Sequence, residues 1–249
     1  MNSEKAKILV LVEGEKTDVQ LFEHLLSIYE IDKKHQVFSY KTNIYVLYDQ
    51  MFQNDNPDEV DIQQLLKERE SDPERKKIFD YRFTDIILIF DLDPHDPRFE
   101  PSKIMRMVSY FKESSAMGKL YLNYPMVESF YHMKSIPDEN YNSYFTTMQE
   151  LCDKVYKIRV RNECVVRNYK KFAIDKQQCD VVINQNIYKA RILTNTVLEK
   201  EEENLFIPDS TDILRAQLKL LIEEDTISVL CTCVFYIPDY NPALINLVE

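Results

Sequence analysis

The sequence predicts an α/β fold: a Rossmann-like, mostly parallel sheet flanked by helices, with a mostly helical C-terminal extension. Three observations predict it. Two short aliphatic runs, residues 8–12 and 86–90, each end in acidic residues, as suits strands covered on both faces. Segments with apolar residues at helical spacing lie between such runs. The resulting alternation, β-α-β-α-β-α-β, is that of a doubly wound sheet.

The elements follow in order. Residues 8–12 form the first strand. Thr17 with Gln20 reads as a capping box, and the helix after it buries Val19, Phe22, Leu26 and Tyr29. Residues 36–48 and 119–122 are weaker strand candidates. Residues 58–70 read as a helix with Val60 and Leu65 or Leu66 inward. Residues 86–90 form the second aliphatic strand. Ser102 caps a helix with Ile104, Met107, Val108 and Phe111 on one face. A boundary falls near Ile136-Pro137-Asp138, dividing the chain into a core of residues 1–136 and an extension of 137–249 that packs on it. Residues 141–156, 186–199 and 210–224 read as its helices. Residues 230–237 read as a docked core element, with Cys231 and Cys233 as packing residues.

Composition excludes several classes. The chain has 249 residues, 45% of them apolar, with 31 Lys and Arg against 42 Asp and Glu, a net charge of −11. It holds 2 glycines, where average usage of about 7% gives roughly 17. Gly14 and Gly118 stand far apart, so no Walker A loop, dinucleotide-binding glycine motif or nucleophile elbow exists. P-loop ATPases, Rossmann dehydrogenases, protein kinases and α/β-hydrolases fall away. Five cysteines without a C-x-x-C pair suit neither a disulfide framework nor a zinc ribbon. Free thiols and the lack of a long apolar run point to a cytoplasmic protein with no membrane partner.

The chemistry lies in acids at strand ends. Glu13 follows the first aliphatic strand, and Asp91 and Asp93 end the second. In an open parallel sheet the carboxyl ends share one rim, where ligands bind. Neighbouring strands would bring the three acids together. Clustered carboxylates need a counter-ion, and oxygen-only ligands select Mg²⁺ or Mn²⁺. If the strand continues to Asp93, a period of two points Asp91 and Asp93 the same way.

The segment Val12-Glu13-Gly14-Glu15-Lys16-Thr17-Asp18, with Asp91-Leu92-Asp93 about 75 residues later, resembles the signature of the TOPRIM domain. That module serves topoisomerases, primases and OLD-family nucleases. Asp18 stands where OLD-like members carry glutamate. Asn123-Tyr124-Pro125-Met126-Val127-Glu128, followed by His132, resembles a segment of stand-alone TOPRIM proteins of the RloB and abortive-infection type. Pro125 suits the first turn of a helix, on which Glu128 and His132 would share a face. The resemblance implies a metal-dependent endonuclease in bacterial phage defence, cleaving DNA or RNA, including tRNA. Glu13, Asp91, Asp93 and Glu128 would be catalytic, with Glu13, Asp18, Asp91 and Asp93 as metal ligands. It also implies an ABC- or SMC-like ATPase partner, and a homo-oligomer is compatible with it. The alternatives are a non-catalytic docking partner of that ATPase and a primase-like nucleotidyltransferase.

One segment runs against the acidic balance. Residues 154–176 hold eight Lys and Arg against Glu163 and Asp175. Lys157, Arg159, Arg161, Arg167, Lys170 and Lys171 are its candidate nucleic-acid contacts, with Tyr156, Tyr169 and Phe172 interleaved. A solvated basic face paired with Glu201, Glu202 and Glu203 is the competing reading. His95 and Asp96 are candidates to touch a metal-bound water, or else form a polar turn.

Overall fold

The computed structural model describes residues 7–53, 56–113, 118–166, 171–196 and 206–246. The first half runs β1 (Lys7–Val12), α1 (Thr17–Ile28), β2 (His35–Ser39), α2 (Ile44–Met51), α3 (Ile62–Arg69), α4 (Pro73–Lys76), β3 (Phe83–Asp91), α5 (Pro101–Tyr110), β4 (Lys112–Glu113) and β5 (Gly118–Asn123). These strands form one sheet in the order β2-β1-β3-β5-β4. The pairs β1–β2, β1–β3 and β3–β5 are parallel, and β4 is antiparallel to β5. The result is a mostly parallel, Rossmann-like sheet flanked by helices.

The strand order decides where a ligand can bind. From β1 the chain moves outward to β2, then returns past β1 to β3 and moves the other way to β5. The reversal lies between β1 and β3. Their carboxyl ends therefore border the crevice at which open α/β sheets bind ligands. Right-handed crossovers put α1 on one face and α2 and α5 on the other. Phe52, just after α2, packs against Tyr110 of α5 at 5.5 Å between ring centres. Between these layers Leu9, Val10, Leu11, Leu88 and Phe90 are fully enclosed.

Several helix starts differ from the sequence expectation. Thr17 is itself the first residue of α1, and no side chain caps that end. The Thr17–Gln20 box does not form, because Lys16 holds the cap position and Thr17 is already helical; Asp18 takes the Gly14 N–H at 2.8 Å. Pro101, not Ser102, opens α5. Its fixed φ and missing N–H suit a first helical position. The weak strand at 36–48 is β2 followed by α2, because Asn43 accepts the Val46 N–H and starts a helix. The helix at 58–70 begins only at Ile62, capped by Asp61, after a 3-10 turn at Pro57–Glu59.

The second half is helical but interrupted. Residues 141–156 are not one helix. A 3-10 turn (Tyr141–Ser143) leads into β6 (Phe145–Thr147), α6 (Met148–Cys152) and α7 (Val155–Glu163). Thr147 and Glu150 form the reciprocal cap of α6. Lys154, at φ 58°, breaks α6 from α7. α8 (Lys176–Leu193) starts at Lys176, well before residue 186, with Asp175 capping it. After α9 (Ser210–Glu224) come β7 (Thr226–Ser228), antiparallel to β6, and α10 (Tyr236–Tyr240).

This half is bonded to the sheet. Tyr124 and Leu230 exchange two backbone hydrogen bonds of 2.8 Å. Tyr29 donates to Asp180 of α8 at 2.8 Å, and Phe22 of α1 meets Tyr236 of α10. Residues 230–237 are buried, Cys231 and Cys233 included. Among the described residues no helix is long and apolar enough to cross a membrane.

Leu88 has no exposed surface, at the middle of β3. Leu88→Ala is expected to cost about 2–5 kcal/mol through lost burial and a residual cavity. Urea unfolding followed by circular dichroism measures this.

Candidate functional site

The rim between β1 and β3 carries the acids. Glu13 continues the ladder one residue beyond β1: its N–H donates to Ile89 O at 3.1 Å, and its carbonyl accepts from Lys41 N at 3.0 Å. Asp91 is the last residue of β3. Glu13 Oε2 accepts the Asp91 N–H at 3.2 Å. Ligand oxygens of Glu13, Asp91 and Asp93 all lie within 4.8 Å of one another.

Asp93 arrives by a different route from the one its spacing suggests. β3 stops at Asp91, so strand alternation does not orient Asp93. Leu92 N–H bonds Asn123 O at 3.0 Å and Asp93 N–H bonds Pro125 O at 3.2 Å. Asp93 then adopts φ 39°, the left-handed region, which only Gly, Asn and Asp tolerate readily. The turn brings its carboxylate back beside Asp91.

Two further acids border this trio. Asp18 sits in the first turn of α1 and is buried. A Cβ on Gly14 would lie 2.8 Å from Asp18 Oδ1, so glycine is needed for that close approach. Glu128 lies in a 3-10 turn (Val127–Phe130) and is buried. Its Oε1 meets Lys157 Nζ at 3.2 Å, while its buried Oε2 has no hydrogen-bond partner. Pro125 does not open a helix; it follows a cis peptide bond. Glu128 and His132 share no helix face. His132 is packed between Tyr144 and Tyr156 and bonds Glu163 at 3.2 Å, as a structural residue does.

Electrostatics follow from this crowding. Burial, then the charge of Asp93, raises the Glu13 pKa to about 8, although the Asp91 N–H pulls the other way. Burial and the charges of Glu13 and Asp93 push Asp91 well above the carboxylate range. Burial raises Asp93 to about 6 against the pull of His95 and Lys157. Asp18 is raised too, by burial and then by Glu128, against the Gly14 N–H. Burial pulls the Lys157 ammonium down, but Glu128, Asp91 and Asp93 more than offset it. At neutral pH the cluster holds protons unless a further positive charge joins it.

The donor set is all carboxylate oxygen, which fits a hard divalent cation. Glu13, Asp91 and Asp93 could hold it directly. The unpartnered Glu128 Oε2 is the buried polar atom that such an ion or its water would satisfy.

The described residues of the basic segment have different partners. Lys157 turns to Glu128. Arg159 donates twice to Glu150 and once to Phe145 O, so its guanidinium is engaged. Arg161 and Lys171 are exposed. Phe172 and Tyr156 are core residues rather than stacking platforms. Arg167, Tyr169, Lys170 and Glu201 to Glu203 lie outside the described residues. Asp96 is held by Asn43 and Arg98, the polar-turn arrangement, and buried His95 Nδ1 has no partner.

No family model, curated protein or solved structure matches the chain. Two contributors escaped the sequence reading: Asn123, whose amide meets Asp91 Oδ1 at 3.4 Å, and Lys157 in its pairing role. Asn123 ends β5 beside the acids, and that position was its signal.

Mn²⁺ at a hundredfold excess over its Kd is expected to stabilise the protein by about 2.7 kcal/mol, a Tm rise of roughly 5–10 °C. Asp91→Asn is expected to raise the apo Tm and lose most of that rise. The pH dependence has a definite sign. The unfolded chain releases the Glu13 proton near 4.5 and the folded chain near 8. Glu13 therefore contributes stability below about pH 4.5, and this is lost as pH rises to about 8. Mn²⁺ affinity should rise across the same window, because binding displaces protons. Thermal melts with and without Mn²⁺ at several pH values check both.

Proposed function

We propose that this chain is a divalent-cation-dependent nuclease with a TOPRIM-type catalytic core. The observation that carries the reading is the convergence of Glu13, Asp91 and Asp93 within 4.8 Å at the β1–β3 crevice. Buried Glu128, with one unpartnered oxygen, supports it. So does the order of the elements, with Glu13-Gly14 after one strand and the Asp-x-Asp after its neighbour.

When bound, Mg²⁺ or Mn²⁺ would supply Lewis-acid polarisation of a phosphoryl oxygen and lower the pKa of water. The remaining work falls to the chain. Asp91 and Asp93 orient and hold. Glu13, which a bound cation would leave deprotonated, could take a proton from attacking water. Glu128 fixes Lys157 at the rim, where its ammonium can meet a phosphate. Exposed Arg161 and Lys171 offer further phosphate contacts. In this reading the substrate is DNA or RNA, tRNA included. The protein serves as a toxic effector in phage defence, restrained by an ABC- or SMC-like ATPase that docks on its acidic surface.

Incubation of the purified protein with plasmid, single-stranded DNA and total tRNA, with Mg²⁺, Mn²⁺ or EDTA, tests the proposal. Cation-dependent cleavage of one of these is expected, falling at least about a hundredfold in Asp91→Asn, Asp93→Asn and Glu13→Gln. No cleavage under any cation, with toxicity in cells unchanged by these substitutions, would overturn it. The basic residues should separate. Arg161→Ala with Lys171→Ala should weaken nucleic-acid binding and flatten its salt slope by about one to two. Arg159→Ala should mainly lower the Tm, because it removes the cation that pairs with Glu150 and leaves that carboxylate to Thr146 and Thr147.

A further inference from the structure

We infer that Asn123 is a positioning residue for Asp91, and that Cys231 and Cys233 set which end of its amide faces that carboxylate. The inference rests on the reading of the strand-end acids as a cation site. Asn123 has no exposed surface and pairs in register with Asp91 across β3 and β5. Its Oδ1 accepts the Cys233 N–H at 3.3 Å and faces Cys231 Sγ at 3.6 Å. Its Nδ2 donates to Asp91 Oδ1 at 3.4 Å.

The amide orientation follows from chemistry. A backbone N–H can only donate, so the atom that meets Cys233 N must be the oxygen. The nitrogen is then forced toward Asp91. An amide donor on Asp91 Oδ1 favours the charged carboxylate and leaves the other oxygen to the site. The opposite orientation would set a carbonyl oxygen against a carboxylate.

The cysteine segment is itself pinned. Cys231 N–H bonds Asn186 Oδ1 at 2.8 Å, and Thr232 Oγ1 bonds Leu122 O at 2.7 Å. The two sulfurs lie 3.3 Å apart. Donation of the Cys233 S–H to Cys231 Sγ, together with burial, keeps the Cys233 thiol protonated, so no thiolate competes with Asp91. Cys231, which packing alone would explain, thereby reaches the rim through one amide. A helix of the second half, α8, is coupled to Asp91 by the same chain of contacts.

The test uses the full chain and Mn²⁺ as probe, in wild type, Asn123→Leu, Cys231→Ala and Cys231→Ser. Calorimetric titration and the apo Tm are read side by side. Asn123→Leu keeps the branched shape at somewhat greater bulk and removes the amide; Mn²⁺ affinity should fall about 10- to 100-fold. Cys231→Ala should lose affinity several-fold, and Cys231→Ser, which keeps a donor, should restore it. Wild-type affinity in a folded Asn123→Leu and in Cys231→Ala would overturn the inference. If Asn123→Leu does not fold, the Cys231 pair decides. A second readout separates this inference from the cation reading. The Asn123 side-chain ¹H–¹⁵N signal should exchange slowly and shift in Asp91→Asn. No shift would overturn the positioning role whatever the metal result. A shift in a protein that binds no Mn²⁺ would uphold the Asn123–Asp91 link and overturn only the cation site.

Discussion

Carboxylates held out of water beside one another repel, and this fold places that repulsion at one point. Glu13, Asp91 and Asp93 meet where the strand order reverses. Each loses hydration and gains a like-charged neighbour, so each titrates well above its usual range. A fold does not keep such an arrangement for stability, because uncompensated buried charge costs several kcal/mol. The surrounding structure reads as a means of holding it. Glu13 is locked by ladder bonds on both sides. Asp93 is held in a left-handed turn by its bond to Pro125 O. Asp18 is drawn close by a glycine whose Cβ would not fit.

The second half supplies the compensation that the sheet lacks. Lys157 of α7 reaches Glu128 and brings a positive charge to the rim. Residues 230–233 are stitched to the end of β5 and present their N–H and S–H groups to Asn123. His132 packs against Tyr144 and Tyr156. Both halves of the chain thus contribute around the rim, and the acid site depends on their docking.

The parts legible in the sequence were those with a local cause. Aliphatic runs ending in acid mark buried parallel strands and their rim, and β1 and β3 are neighbours as that pattern suggests. α9 matches its apolar spacing from Ser210 to Glu224. The illegible parts have non-local causes. The three-residue strands β6 and β7 pair across most of the second half, beyond the reach of any window. The Thr17 cap fails because the helix begins one residue early, with Lys16 at the cap position. The period-of-two argument brought Asp93 to the right place for the wrong reason, since a turn does the work. Composition left the basic segment open between a nucleic-acid path and a basic face paired with acids. In space Arg159 belongs to Glu150 and Lys157 to Glu128.

The central claim is that the clustered acids hold protons which a divalent cation replaces. Calorimetric titration of Mn²⁺ near pH 7, repeated in two buffers of different ionisation enthalpy, tests it most directly. Binding should release protons, and Glu13→Gln should lower the number released. Mn²⁺ binding with no proton release, or no binding to a folded protein, would contradict the account.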